Sequence, residues 1–262
     1  MTARRVLLEV GVTGAEEAVR AAANGADRLE LCAGLEVGGL TPSPGAFLAV
    51  REVVRLPVYV LLRPRTGGFT LTDTEFDTMR RDAEWFLRHG ADGIVVGVLR
   101  HSHGANAIDR DRCRELVRLA AGKAVFHRAF DFLPDPPARL GELADLGFER
   151  VQTSGGAPTA AGGADRLAAL IAHPGRRVEV LPAGGITPAT VARLLRETRA
   201  DQVHASLRAP APDPSLLVNP DLGGAMGVPD PATGRPTTSG ELVRAMRQEL
   251  DRFVLAAEES EG

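Results

Sequence analysis

The chain has 262 residues, 44% of them hydrophobic, and a formal charge of −3 with acids and bases interspersed. That is enough for one large domain, and no basic face suggests nucleic acid. No apolar run approaches the roughly 20 residues of a membrane span, and MTARRVLLEV has too short an apolar run for a signal peptide, so a cytoplasmic protein is expected.

Val6–Val10 reads as the first strand, interrupted by Glu9. Thr13 and Glu16 suggest a capping box for a helix that ends at Asn24-Gly25. The next strand, Asp27–Cys32, alternates, with Arg28, Glu30 and Cys32 on one side and Leu29 and Leu31 on the other. Ser43 and Pro44 supply an N-cap and a first-turn proline for helix two, which runs to about Val54. Strand three, Val58–Arg63, leads into Pro64-Arg65, a Gly67-Gly68 loop and a helix over Asp73–His89. Strand four is Asp92–Gly97, followed by an irregular loop over Arg100–Ala107 and helix four over Asp109–Ala121.

The stretch KAVFHRAFD, Lys123–Asp131, stands apart. A short apolar run suits a buried strand, and it delivers His127, Arg128 and Asp131 to its downstream end. A helix from Pro136 to Gly147, strand six (Glu149–Ser154), a helix over Gly163–Ala172 and strand seven (Val178–Pro182) follow. Gly184-Gly185 then precedes Thr187-Pro188, a second N-cap and first-turn proline, and strand eight is Asp201–Ser206.

Eight strands alternating with helices predict a parallel sheet closed as a TIM (β/α)8 barrel, a single α/β domain over 1–262. An internal repeat supports the count. Asn24-Gly25-Ala26-Asp27, His89-Gly90-Ala91-Asp92 and Leu146-Gly147-Phe148-Glu149 each end a helix and open an even-numbered strand, and Arg199-Ala200-Asp201 is a degenerate fourth copy. Their spacing of roughly 55–65 residues is that of two βα units. Between Leu207 and Thr238, prolines such as Pro210, Pro220 and Pro236 exclude regular structure. This excursion (207–238) is either a surface tail or a cover that brings Val218-Asn219 and Met226-Gly227 over the mouth. Leu242, Met246, Leu250, Phe253 and Ala257 then keep helical spacing.

In such a barrel Glu9, Glu30, Cys32, Arg63, Arg65, His127, Arg128, Asp131, Thr153, Ser154, His204 and Ser206 gather at the C-terminal ends of the strands, where barrel enzymes keep their sites. The plain alternative is structural ion pairing, Glu30 with Arg63 or Asp131 with Arg128. Glu9, Glu30, Arg63, His127, Arg128, Asp131 and His204 are the catalytic candidates. Arg65, Thr153, Ser154, Gly155, Gly184, Gly185 and Ser206 are the ligand-binding ones, because glycine-rich loops before capped helices offer N–H groups to a small anion. The only lysine, Lys123, starts strand five at the barrel bottom, which disfavours a Schiff base at the mouth. Thr153-Ser154-Gly155 is not a GxSxG elbow. Acid–base chemistry remains, with arginines holding an anionic substrate. A divalent cation on Glu and His ligands is the other option, although no HxH or HExxH spacing marks one.

Together GADRLELC (25–32), GGLTPS (38–43), RPR (63–65), HRAFD (127–131), TSGG (153–156), GGIT (184–187), VHAS (203–206) and AMG (225–227) resemble the CutC family. The resemblance implies a TIM barrel, a cytoplasmic location, a homo-oligomer and a role in copper homeostasis, with Cys32 matching a cysteine proposed to bind copper. Val10-Gly11 stand where many members carry cysteine. Copper(I) prefers thiolate and thioether ligands. Cys113 shares a helix face with Leu116, Val117 and Ala120, and Met79 and Met246 fall on helices, which leaves Met226 as a partner for Cys32. Three readings stand: a copper-homeostasis protein, an enzyme acting on a small anionic, phosphorylated or sugar-like substrate, and a non-catalytic scaffold.

Overall fold

The computed structural model describes residues 5–215 and 234–261. Eight parallel strands form one sheet: β1 (Leu7–Val12), β2 (Arg28–Leu31), β3 (Val58–Leu61), β4 (Gly93–Val96), β5 (Ala124–Phe126), β6 (Arg150–Thr153), β7 (Glu179–Pro182) and β8 (Gln202–Ala205). Neighbours in sequence are neighbours in the sheet, and β8 returns to pair with β1, Glu9 standing opposite His204. The remaining gap, between β7 and β8, is bridged at Ala183 and His204. The sheet is thereby rolled into the expected TIM-type barrel.

Each strand is followed by a helix: α1 (Ala15–Ala23), α2 (Pro44–Val53), α3 (Asp73–Arg88), α4 (Arg110–Leu119), α5 (Pro136–Leu146), α6 (Ala164–Ile171), α7 (Pro188–Thr198) and α8 (Gly240–Glu261). No helix among the described residues is long and apolar enough to cross a membrane. The strand residues facing the helices, among them Leu8, Val10, Leu29, Leu31, Val60 and Ile94, are fully buried in one apolar layer.

The repeated Gly-Ala-Asp segments have a mechanical meaning. After α1 the Ala26 N–H reaches back to the Ala21 carbonyl, and after α3 the Ala91 N–H reaches Phe86. These are Schellman-type ends that need the left-handed Gly25 (φ 103°) and Gly90 (φ 95°). The acid that follows then accepts an N–H at the start of the preceding strand: Asp27 takes Leu8 (2.8 Å) and Asp92 takes Val58 (2.8 Å). One short segment therefore stops a helix and anchors the bottom of a neighbouring strand.

Several local expectations need correction. The Thr13–Glu16 capping box does not form; Gly14 is the N-cap of α1, Glu16 is exposed, and Glu17 accepts the Thr13 N–H (2.8 Å). The segment expected to be irregular over Arg100–Ala107 is an antiparallel hairpin, Leu99–Ser102 with Ala105–Ile108. Its two turn residues, His103 (φ 51°) and Gly104 (φ 75°), both lie in the left-handed region that a two-residue hairpin requires. The proline-rich excursion is structured at its base, where Arg208–Ala209 pairs antiparallel with Thr237–Thr238. Glu17 of α1 accepts from the hydroxyls of Thr237 (2.8 Å) and Thr238 (3.1 Å), which ties this ladder to the barrel. Val218-Asn219 and Met226-Gly227 lie outside the described residues.

Candidate functional site

The inside of the barrel is divided. On one side Cys32, Tyr59, Leu61, Val95 and Val125 form a dry cluster. On the other, Glu9, Arg28, Glu30, Gln152, Gln202 and His204 meet across β8, β1, β2 and β6. Arg28 Nε donates to Glu9 Oε2 in a very short ion pair, and its Nη2 reaches Gln202 (3.2 Å). Both members of the pair are buried, a setting in which removing one partner costs about 3–5 kcal/mol. Glu9 Oε1 bonds His204 Nδ1 at 2.8 Å. The Gln152 amide nitrogen donates to Glu30 in a very short bond and to Glu9 at 3.2 Å, and lies 3.5 Å from His204 Nδ1.

These contacts divide the charge unequally. Burial alone would raise the Glu9 carboxyl, but Arg28 and His204 outweigh it and hold it well below the usual carboxylate range. Burial pushes Glu30 up, and Glu9 adds to this against the pull of His204. Burial opposes a charged ring at His204, yet Glu30 and the bond to Glu9 raise it above the ordinary imidazole value. Oxygen and nitrogen ligand atoms of Glu9, Glu30 and His204 lie within 4.8 Å of one another. The space among them is where the Gln152 N–H₂ sits, so a hydrogen-bond donor already plays the part a cation would play.

Above this floor opens a cavity of about 450 Å³ at the C-terminal mouth, lined by Glu30, Arg63, Phe69, His127, Arg128, Gln152, Gly184, Gly185, His204, Ser206, Arg208 and neighbours. Such a volume suits a small molecule. His127 follows β5 and packs its ring 5.0 Å from Phe69. Gly97 makes room for it, since a Cβ there would stand 2.2 Å from His127 Cε1. The Ala129 N–H donates to Nδ1 (3.1 Å), which places the ring proton on Nε2. That Nε2 is buried and has no acceptor among the described residues. Burial, with Arg63 adding to it, lowers the ring to about 4, so it is a neutral donor at physiological pH.

Three guanidinium groups share the mouth. Arg63 donates to the carbonyls of Val37 (3.0 Å), Gly39 (2.9 Å) and Gly67 (2.6 Å), and its buried Nε has no partner among the described residues. The Glu30–Arg63 pair of the plain ion-pair alternative is not formed; Glu30 is held by Gln152. Arg128 pairs with Asp131 (2.9 Å), as the structural alternative anticipates, and its Nη2 donates to Ser154 Oγ (2.8 Å). Its Nη1 lies against Gly184, where a Cβ would come within 3.1 Å. Arg208 donates Nη2 to the Pro236 carbonyl and stands 4.0 Å from Glu17, and its buried Nη1 has no partner among the described residues.

The remaining candidates sit elsewhere. Glu9 lies beneath the cavity, 1% exposed. Arg65 points away, bound to Glu75 and to the carbonyls of Thr66, Gly68 and Thr70, and braces the β3–α3 loop instead of lining the cavity. Asp131 accepts from Thr153 Oγ1 (2.5 Å) and from the N–H groups of Ser154 (3.2 Å) and Gly156 (2.9 Å). Thr153, Ser154 and Gly155 are thus the buried seating of Asp131 and Arg128, outside the cavity wall. Arg208, Gln152 and Phe69 were missed by the sequence reading. Arg208 continues the inward parity of Gln202, His204 and Ser206, and Gln152 shares that of Arg150 and Ser154, so strand alternation was the available signal.

A model of the CutC family matches residues 6–209. The chain belongs to the CutC family. A CutC family protein from Treponema denticola is 40% identical over 230 residues, 87% of this chain and 92% of that one. The human copper homeostasis protein cutC homolog is 42% identical over 204 residues, 78% of this chain and 74% of its own length. The crystal structure of CutC from Streptococcus agalactiae superposes with a TM-score of 0.70 at 28% identity, covering 77% of this chain and 98% of that one. N-(5′-phosphoribosyl)anthranilate isomerase from Pyrococcus furiosus, 13% identical with a TM-score of 0.52 over 94% of this chain and 99% of its own, shares the barrel alone.

The CutC resemblance raises copper at Cys32, and the donor set does not fit it. The Cys32 thiol is fully buried in the dry half of the barrel and points its Sγ at the Val12 carbonyl (3.7 Å). Burial, followed by the charge of Glu30, raises it well above the ordinary thiol value, which opposes the thiolate that copper(I) needs. Cys113, Met79 and Met246 belong to the other core cluster, under the helices, and Met226 lies outside the described residues.

Proposed function

We propose that the barrel mouth binds a small anionic molecule and performs acid–base chemistry on it. The observation that carries this reading is the imbalance of donors. Arg63, Arg128, Arg208 and His127 bring N–H groups to one cavity, and Glu30 is the single carboxylate in its wall among the described residues. Guanidinium forks recognise carboxylate and phosphate oxygens well. The Gly184-Gly185 loop and the start of α7 lie after β7, where barrels commonly hold phosphate. Glu30, raised by burial, is the group best suited to take up and return a proton. His127 is suited to donate a hydrogen bond to developing negative charge, because its neutral ring presents N–H and no lone pair at Nε2. His204 and Glu9 fix the floor beneath. A thermal-shift screen with small phosphorylated and carboxylated compounds tests the reading. Anionic compounds are expected to raise the wild-type Tm, with the rise reduced by at least half in Arg63→Gln and His127→Gln. If no anionic compound stabilises the wild type, the reading fails.

A copper-homeostasis role is the second reading, favoured by the name of the human relative. Anaerobic competition for copper(I) decides it: wild type and Cys32→Ala are expected to bind equally weakly, whereas tight binding lost with Cys32 would establish the copper site. A cytoplasmic location and a homo-oligomeric assembly accompany both readings, tested by cell fractionation and by light scattering on the purified chain.

A further inference from the structure

We infer that the ligand of this mouth is anionic at both ends, with a phosphate held at the Gly184-Gly185 side and a carboxylate held at Arg63. The inference rests on the anion-binding reading above and specifies its substrate class. Its basis is where the uncommitted donors stand around the rim. Arg63 follows β3 and Gly184-Gly185 follow β7, and these strands are separated by four steps in either direction around the eight-stranded ring. The two donor groups therefore face each other across the cavity instead of forming one cluster.

At the β7 side, Arg128 Nη1 rests against Gly184, and Nη1 of Arg208, one step round on the β8 side, is without an acceptor among the described residues. Gly184 (φ 105°) and Gly185 (φ 66°) hold backbone that other residues adopt at a cost, and a Cβ on Gly184 would crowd the Arg128 guanidinium. At the β3 side, Arg63 has spent its bonds on three carbonyls and retains an unpartnered Nε–H. His127, 6% exposed, lines the same cavity, its buried Nε2–H has no acceptor among the described residues, and Arg63 helps keep its ring neutral. No carboxylate of the chain is hydrogen-bonded to Arg63 among the described residues. Arg128 is already paired with Asp131 and Arg208 stands 4.0 Å from Glu17, so what the two sides share is N–H groups without acceptors rather than bare charge. A single compact anion supplies acceptors to one side only, whereas a molecule with a phosphate at one end and a carboxylate at the other supplies them to both.

Isothermal titration of the full chain tests this with terminally phosphorylated acids of two, three and six carbons: 2-phosphoglycolate, 3-phosphoglycerate and 6-phosphogluconate. Inorganic phosphate, gluconate and sorbitol 6-phosphate serve as single-ended controls. At least one phosphorylated acid is expected to bind tenfold or more tightly than every single-ended control. In Arg63→Lys, which keeps the charge but loses the fork, that advantage is expected to shrink at least threefold while the affinity for inorganic phosphate is unchanged. Phosphate binding with no gain from the second anionic group would overturn the two-ended ligand and leave the anion site standing. Failure of every compound to bind would overturn both. The wild-type series decides the question even if the variant folds poorly.

Discussion

At the scale of single residues, two histidines on one cavity are driven in opposite directions by their surroundings. His127 loses its charge to burial with Arg63 nearby, while His204 gains charge from Glu30 and Glu9 despite burial. The consequences for stability have opposite signs. Between pH 6.5 and about 4 an unfolded chain takes up a proton at His127 that the folded chain refuses, so stability falls as pH falls through that window. The size is on the order of 3 kcal/mol at one pKa unit per 1.36 kcal/mol. His204 contributes stability below its unfolded value and loses it as pH rises through its higher folded value. Chemical denaturation at pH 7 and pH 4 is expected to show a smaller loss of stability in His127→Gln than in wild type. Nitrogen chemical shifts are expected to report a neutral, Nε2-protonated ring at His127 throughout pH 5–8. A charged His127 ring at pH 6 would contradict the assignment.

At the scale of elements, the segments linking helices to the following strands do more than turn the chain. Asp27 accepts from Leu8 N–H and from Arg247 Nη1 (3.1 Å), and Arg247 is buried in α8. Asp92 accepts from Val58 N–H and from the half-exposed Arg51 (3.1 Å). Replacing either by alanine strands a strand N–H, a loss of about 1–3 kcal/mol. Asp27→Ala is expected to cost more, because it also takes one of two carboxylates from a buried guanidinium, leaving Arg247 with Asp251 (2.8 Å) alone; urea melts of both variants measure the difference. The repeat was legible in the sequence because three copies carry glycine at one left-handed position, which Arg199 (φ 58°) fills in the fourth, and all four carry an acid two residues later. The hairpin after β4 was not, since His103-Gly104 lacks the Asn or Asp that usually marks such a turn. The cap of α1 was misread because Glu16 and Glu17 are chemically equal, and only the fold decides that Glu17 faces Thr13 and Thr237.

At the scale of the whole molecule, alternation along the strands was enough to bring Glu30, His127 and His204 to one interior, where they do converge, although Gln152 and Arg208 were overlooked and Arg65 was wrongly included. How those side chains choose partners was not legible. Nothing local distinguishes Arg63, which ends on carbonyl groups, from Arg65, which ends on Glu75 and away from the cavity. Nor does the sequence say that Cys32 falls in the dry half of the interior. That depends on the β3–β5 side chains it meets there, Tyr59, Leu61, Val95 and Val125.

The rolled sheet has a seam. Seven neighbouring strand pairs carry ladders, while β7 and β8 are joined at Ala183 and His204 and by Gln202 reaching Glu179 (3.1 Å). This seam opens directly beneath Gly184 on one side and Ser206 on the other, both in the cavity wall. An occupant gripping both shores would act as a buckle, tightening the cylinder where its own backbone holds it least. Amide hydrogen exchange around Ala183–Gly185 and Ala205–Leu207 should therefore slow on ligand binding by more than exchange in the fully laddered β1 and β2, and equal slowing everywhere would argue against it.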